Sequence, residues 1–218
     1  MTVKLGIEWE IASTPSDATY NFLDRKNWTV GNDPTIRTIK PEQERTEFKT
    51  TTPYTIDLND IKASEERIIK DFKTLLGTLT NKFIDGSMGI HIHFSGIKKL
   101  SCVFDREFFN HVKKEYTKIA VTELEKQRLI DGATYNSWTY TARGERRRSA
   151  INYMCAYQRH NTIELRFLPT TKKVSEFRKY IHLVLKLLKD VENKNYPGAV
   201  FKIDDNDNNT NNEYKVLI

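Results

Sequence analysis

Only two cysteines, Cys102 and Cys155, occur in 218 residues. Two thiols cannot build a disulfide framework, nor a thiolate metal site by themselves. Neither has a base nearby in sequence, which argues against a cysteine nucleophile. A reducing, cytoplasmic setting is expected. No apolar run approaches the roughly 18 residues that a membrane-spanning helix needs. The opening MTVKLGIEWE reaches two glutamates before a signal-peptide core could form. A soluble chain with no membrane partner is therefore expected. Internal repeats are absent. Strong compositional bias is confined to DDNDNNTNN, residues Asp204 to Asn212. That segment has no apolar anchor and reads as a connector. Residues 1–200 are expected to form one domain, followed by a polar Asn/Asp-rich tail over 201–218.

What is present suits a folded protein. Hydrophobic residues make up 38 % and aromatics 11 %, too many for a disordered chain. The length suits a single core that needs no covalent staples. The 35 Lys+Arg against 29 Asp+Glu leave a net charge of +6. That excess points to an anionic partner, either nucleic acid or a nucleotide phosphate.

Val3 to Ile11 alternates in type and reads as a strand. One or two short strands are expected around Trp28 to Ile39, interrupted by the turn signal Gly31-Asn32-Asp33-Pro34. Arg45 to Lys49 is another strand, closed by Pro53. Asp57 to about Lys82 has helical spacing (Ile61, Ile68, Phe72, Leu75, Leu76, Leu79), with Asp57 and Asp60 as N-cap candidates. Gly89 to Ile97 alternates again. Asp105 can cap a helix carrying Phe108, Val112, Tyr116, Ile119 and Leu124. Ala150 to Tyr157 and Thr162 to Leu168 read as a strand pair joined by Gln158 to Asn161. Val174 to Val191 is the last helix. The expected class is α+β, an antiparallel or mixed sheet with helices packed on one face.

Three of these strands share a property. Glu8 and Glu10, His91 and His93, and Glu164 and Arg166 each stand two residues apart. Period-2 geometry puts each pair on one face of its strand. The opposite faces are apolar: Ile7/Trp9/Ile11, Ile90/Ile92/Phe94 and Ile163/Leu165/Phe167. Strand Arg45 to Lys49 adds Glu47, flanked on the same face by Arg45 and Lys49. If these strands share a sheet, their polar faces converge. Crowded carboxylates raise one another's pKa unless a cation sits among them. Oxygen ligation with an imidazole suits Mg²⁺ or Mn²⁺ better than a structural zinc. Such magnesium sites commonly hold substrate phosphates, for which Arg166 offers a planar, permanent charge. The competing reading is a wet, charged sheet face without chemistry. Trp9 and Phe167 are expected in the core, and His111, His160 and His182 at the surface.

Five segments, LGIEWEI, NDPTI, RTEFKTTTPY, GIHIHFS and INYMCAYQRHNTIELRFLPTT, occur in this order. Together they resemble the amidoligase family of the glutamine synthetase and glutamate–cysteine ligase superfamily, over about residues 5 to 190. The resemblance implies a curved antiparallel sheet like a glutamine synthetase catalytic domain. It also implies two or three Mg²⁺ or Mn²⁺ ions, ATP as a substrate, and ATP-dependent joining of a carboxylate to an amine. On the matching positions it implies metal ligands at Glu8, Glu10, Glu47, His91 and Glu164. It implies ATP-phosphate contacts at His93, Arg166 and the group Arg143, Arg146, Arg147 and Arg148. Catalytic roles would fall to Arg166, His93 and Arg148. Of the carboxylates expected after the first strand only Glu47 sits well; Asp33 is the other candidate, with Glu42 and Glu44 on an uncertain segment. An appended glutaminase domain is not expected, so the expected nucleophile is free ammonia or a primary amine. Superfamily members often assemble into oligomers.

Two further readings stand beside this one. A phosphotransferase resembling a guanidino kinase could use the same sheet without forming an amide. A non-catalytic nucleic-acid binder could use Arg143 to Arg148 with Tyr135, Trp138 and Tyr140 as a stacking surface. Glutamates on the sheet face disfavour nucleic acid there.

Overall fold

The computed structural model describes residues 2–97, 106–130, 138, 149–152 and 162–193. Eight strands form one sheet, in which every pairing is antiparallel. The strands are β1 (Thr2–Thr14), β2 (Trp28–Asn32), β3 (Glu44–Thr50), β4 (Tyr54–Asp57), β5 (Thr80–Phe83), β6 (Gly89–Ser95), β7 (Ile151–Asn152) and β8 (Ile163–Pro169). The helices are α1 (Asp17–Lys26), α2 (Ile61–Thr78), α3 (Arg106–Ile119), α4 (Glu123–Gln127) and α5 (Val174–Asn193). The α+β class with an antiparallel sheet is thus as expected. Among the described residues no helix is long and apolar enough to cross a membrane.

The sheet runs β2-β3-β1-β6-β8-β7. β1 is its axis. Along one edge it pairs with β4 and then β3; along the other it pairs with β6 and then β5. The apolar residues of β1, β6 and β8 face the helices. Trp9 meets Phe72 of α2 edge-on at 4.8 Å. Phe72 stacks on Phe177 of α5 at 3.7 Å. Tyr116 of α3 packs on Phe167 at 4.9 Å. The edge-on Trp9–Phe72 contact suits the aromatic quadrupoles. Phe22 and Leu23 of α1 join the same core. The helix layer therefore covers one face and leaves the Glu/His face of β1, β6 and β8 free of helices from that layer.

Several boundaries differ from expectation. α1 lies between the first two expected strands, where no helix was expected. Its apolar content is thin, with Thr19, Phe22 and Leu23 buried, and it ends at Asn27 in the left-handed conformation (φ 54°). The helix expected over Asp57 to Lys82 is shorter. Asp57 belongs to β4, unforeseen, and Asp60 is the cap, accepting from the Ala63 N–H at 3.1 Å. At its other end Leu79 is extended, and Thr80–Phe83 forms β5. The β-branched Thr78 and Thr80 flank this change. Gly31 and Asn32 lie within β2 rather than breaking it. Leu124 belongs to α4, not to α3. The antiparallel β7–β8 pairing matches the expected hairpin where Ile151 and Asn152 meet β8; residues 153–161 of that hairpin, residues 194–200 and the 201–218 tail lie outside the described residues.

Candidate metal centre

Register decides whether the polar pairs meet. β1 and β6 pair with Glu8 opposite His91 and Gly6 opposite His93. β6 and β8 pair with His93 opposite Glu164. β1 and β3 pair with Glu8 opposite Lys49 and Glu10 opposite Glu47. Four adjacent strands thus bring Glu8, Glu10, Glu47, His91, His93, Glu164 and Arg166 to one face.

His91 is buried among three carboxylates. Its Nδ1 lies 3.4 Å from Glu8 Oε2 and 3.5 Å from Glu164 Oε1, and its Nε2 lies 3.6 Å from Glu10 Oε1. His93 Nε2 lies 3.4 Å from Glu8 Oε1 and 3.8 Å from Glu164 Oε1. Its Nδ1 is 3.4 Å from the Thr162 hydroxyl. Arg166 donates to Glu164 Oε1, and the Asn152 amide donates to Glu164 Oε2 at 2.7 Å. The Gly89 N–H donates to Glu10 Oε2 at 2.6 Å. Lys49 Nζ reaches Glu47 Oε2 at 2.7 Å and Glu8 Oε1 at 3.5 Å.

These contacts displace the acid–base equilibria. Burial pushes Glu8 up, but hydrogen bonds and charge from His91 and His93 outweigh it and hold the carboxyl far below its usual range. Burial also pushes Glu164 up, and the charges of His91, Arg166 and His93 bring it below normal. Glu47 is raised by burial and by the charges of Glu8 and Glu10, against the pull of Lys49.

Among the described residues three donor sets satisfy the spacing of a cation site, each with ligand atoms within 4.8 Å of one another: Glu8/His93/Glu164, Glu8/Glu47/His91 and Glu10/Asp33/Glu47. Carboxylates with imidazole fit a hard divalent cation such as Mg²⁺ or Mn²⁺. Asp33, the second carboxylate candidate, therefore joins Glu47. Glu42 and Glu44 enter none of these sets; both are exposed, and Glu42 faces Lys40 at 3.9 Å. Arg45 points away, donating to the Pro34 carbonyl at 3.1 Å.

Two contributors escape sequence reasoning. Arg128 is buried and donates to the Met88 carbonyl, and Glu10 is among the charges acting on it. Gly89 supplies its backbone N–H, and a Cβ there would lie 3.1 Å from His91 Nε2 and 3.4 Å from Arg128 Nη2. Nothing in periodicity signals either one. Asn152 alternates with Met154 and Ala156, which hints at its facing but not at its bond to Glu164.

Some expectations change. Trp138 is not a surface stacking platform: it is buried against Phe109 and Phe167 on the helix side, and its indole N–H donates to the Arg128 carbonyl at 2.6 Å. His111 is partly buried and pairs with Asp190 at 3.0 Å, whereas His182 is exposed as expected. Trp9 and Phe167 are core residues. Arg143, Arg146, Arg147, Arg148, Tyr135, Tyr140, His160, Cys102 and Cys155 lie outside the described residues. No protein-family model matches this sequence, and no curated protein matches it.

Proposed function

We propose that the chain is an ATP- and Mg²⁺-dependent carboxylate–amine ligase, an amidoligase of the glutamine synthetase and glutamate–cysteine ligase superfamily on a glutamine synthetase-like sheet. The observation that carries this reading is the convergence of three Glu/His/Asp donor sets on one sheet face beside Arg166. The ordered motifs that resemble the amidoligase family support it from the sequence side. The two-cysteine composition supports a cytoplasmic setting.

Two or three divalent ions, Mg²⁺ or Mn²⁺, would supply charge neutralisation for the ATP phosphates. Glu8, Glu10, Asp33, Glu47, Glu164, His91 and His93 would hold them. Arg166, steadied by Glu164, would face the transferred phosphoryl group. In the first step the substrate carboxylate oxygen attacks the γ-phosphorus, the β–γ bridging P–O bond breaks, and ADP leaves. In the second the amine attacks the acyl carbon, the acyl C–O bond breaks, phosphate leaves, and the nitrogen loses a proton. Both transition states spread negative charge, so positioned cations matter more than a strong base.

The test is Mg-ATP turnover with panels of carboxylates and amines, read by phosphate release and product mass. A conjugate lighter by one water than its two substrates is expected. Phosphate release that depends on neither substrate refutes the ligase. A phosphorylated substrate in place of a conjugate makes the chain a phosphotransferase.

A further inference from the structure

Lys49 contacts a carboxylate of each of the three donor sets without being a ligand in any. It is the cross-strand neighbour of Glu8 and stands two residues from Glu47 on the same face of β3. Its ammonium spans the two carboxylates, 2.7 Å from Glu47 and 3.5 Å from Glu8. Glu8 belongs to two of the donor sets and Glu47 to two, so every set contains a carboxylate that Lys49 holds. A divalent ion sits roughly 2.0–2.2 Å from its oxygen ligands. An ion held by Glu8, Glu47 and His91 would therefore bind two carboxylates that the ammonium already holds. Two cations so close repel strongly in a partly desolvated site.

Lys49 differs from the other cations here. Arg166 is mostly buried and bound to Glu164, and Arg128 is buried against the Met88 carbonyl. The Lys49 side chain is 41 % exposed. Its flexible four-carbon stem can carry the charge out to water at small cost.

We propose that Lys49 is a displaceable counter-ion that sets the divalent-ion affinity of this centre. It balances Glu8 and Glu47 through its own charge and yields those oxygens when an ion enters. The inference rests on the metal-centre reading above and adds a residue that competes with the ion rather than binding it.

The test is Mn²⁺ titration of the full chain at fixed pH and ionic strength, with melting measured in chelator alongside. The variants are Lys49→Met, Lys49→Arg, Glu8→Gln and a Glu8→Gln/Glu47→Gln double variant, with Lys49→Gln where Met does not fold. Removing the ammonium should tighten Mn²⁺ binding about three- to fivefold, the scale of a partly exposed ion pair. The same variant should melt below wild type in chelator, because two crowded carboxylates lose their cation. Lys49→Arg should bind within about twofold of wild type, since a guanidinium competes as well. Unchanged or weaker Mn²⁺ binding by Lys49→Met, with binding lost in Glu8→Gln, overturns the inference and leaves the metal centre standing. Binding by none of the proteins, or equal binding by wild type and the Glu8→Gln/Glu47→Gln double variant, overturns the metal centre and the inference together, because every donor set contains Glu8 or Glu47.

Discussion

Glu8 and Glu164 approach the same two imidazoles from different depths. Glu164 is 2 % exposed and carries Asn152 and Arg166 as partners. The Glu8 side chain is 22 % exposed and faces Lys49 as well as both histidines. Removing their charge should therefore have unlike consequences. Glu8→Gln should cut Mn²⁺ affinity by about 100-fold or more, beyond what a supporting residue costs, with a smaller loss of stability than Glu164→Gln because its partner Lys49 can turn out to water. Glu164→Gln should cost affinity too, and also about 1–3 kcal/mol of folding stability, because Arg166 loses its buried partner. Urea unfolding of both variants beside wild type measures the difference; equal midpoints for the two would refute it. The candidate ligands on β1, β6 and β8 were legible because a polar residue at every second position stood against an unbroken apolar face, and Glu47 on β3 because it alternates with Arg45 and Lys49. Arg128 and the Gly89 N–H were not. One depends on how the chain turns after a short helix, and the other is a backbone group common to almost every residue. Asp33 could be named but not chosen, because its place depends on how β2 pairs with β3.

At the scale of elements, α4 shows how a five-residue helix is held. Thr122 caps it, and the Glu125 side chain accepts from the Thr122 and Val121 N–H groups. Glu125 is 0 % exposed and also binds Lys179 and Tyr180 of α5. Burial pushes its carboxyl up, yet the hydrogen bonds from Lys179, the two backbone N–H groups and Tyr180 outweigh it and hold it at about 2, from an ordinary 4.5. A depressed folded-state pKa stabilises above the unfolded-state value, and that contribution fades as pH falls toward the folded one. Glu125→Gln should therefore cost roughly 2 kcal/mol at neutral pH, after discount for the partly exposed Lys179. The gap between wild type and variant should shrink from about pH 5 down to about pH 2. Chemical unfolding across that range checks it; a constant gap would refute the assignment. The same scale explains what the sequence concealed. α2 and α5 were legible from long apolar stripes that meet at Phe72 and Phe177. α1 and β5 were not, because α1 buries little and β5 is a four-residue continuation of a helical pattern.

At the scale of the whole molecule, the candidate centre and the fold share one foundation. β1 pairs with four strands and carries Glu8 and Glu10. The donor sets draw on β1, β3, β6 and β8, with Asp33 just past β2. Global unfolding separates every set, so an ion bound there should stabilise the entire molecule rather than one loop. At an ion concentration about 100-fold above Kd, one site contributes about 2.7 kcal/mol, or about 5–10 °C in melting temperature for a chain of this length. Mg²⁺ or Mn²⁺ should produce that shift, and equal ionic strength of a monovalent salt should not, because screening alone weakens surface pairs. Glu8→Gln should remove most of the shift, since Glu8 serves two of the three sets. Glu10→Gln should remove less, since it serves one. Melting curves of the three proteins with and without ion give the comparison. A full shift retained in Glu8→Gln would exclude both sets that contain Glu8 and leave Glu10/Asp33/Glu47 to account for the stabilisation. A graded loss, larger for Glu8 than for Glu10, is what shared carboxylates on a central strand require.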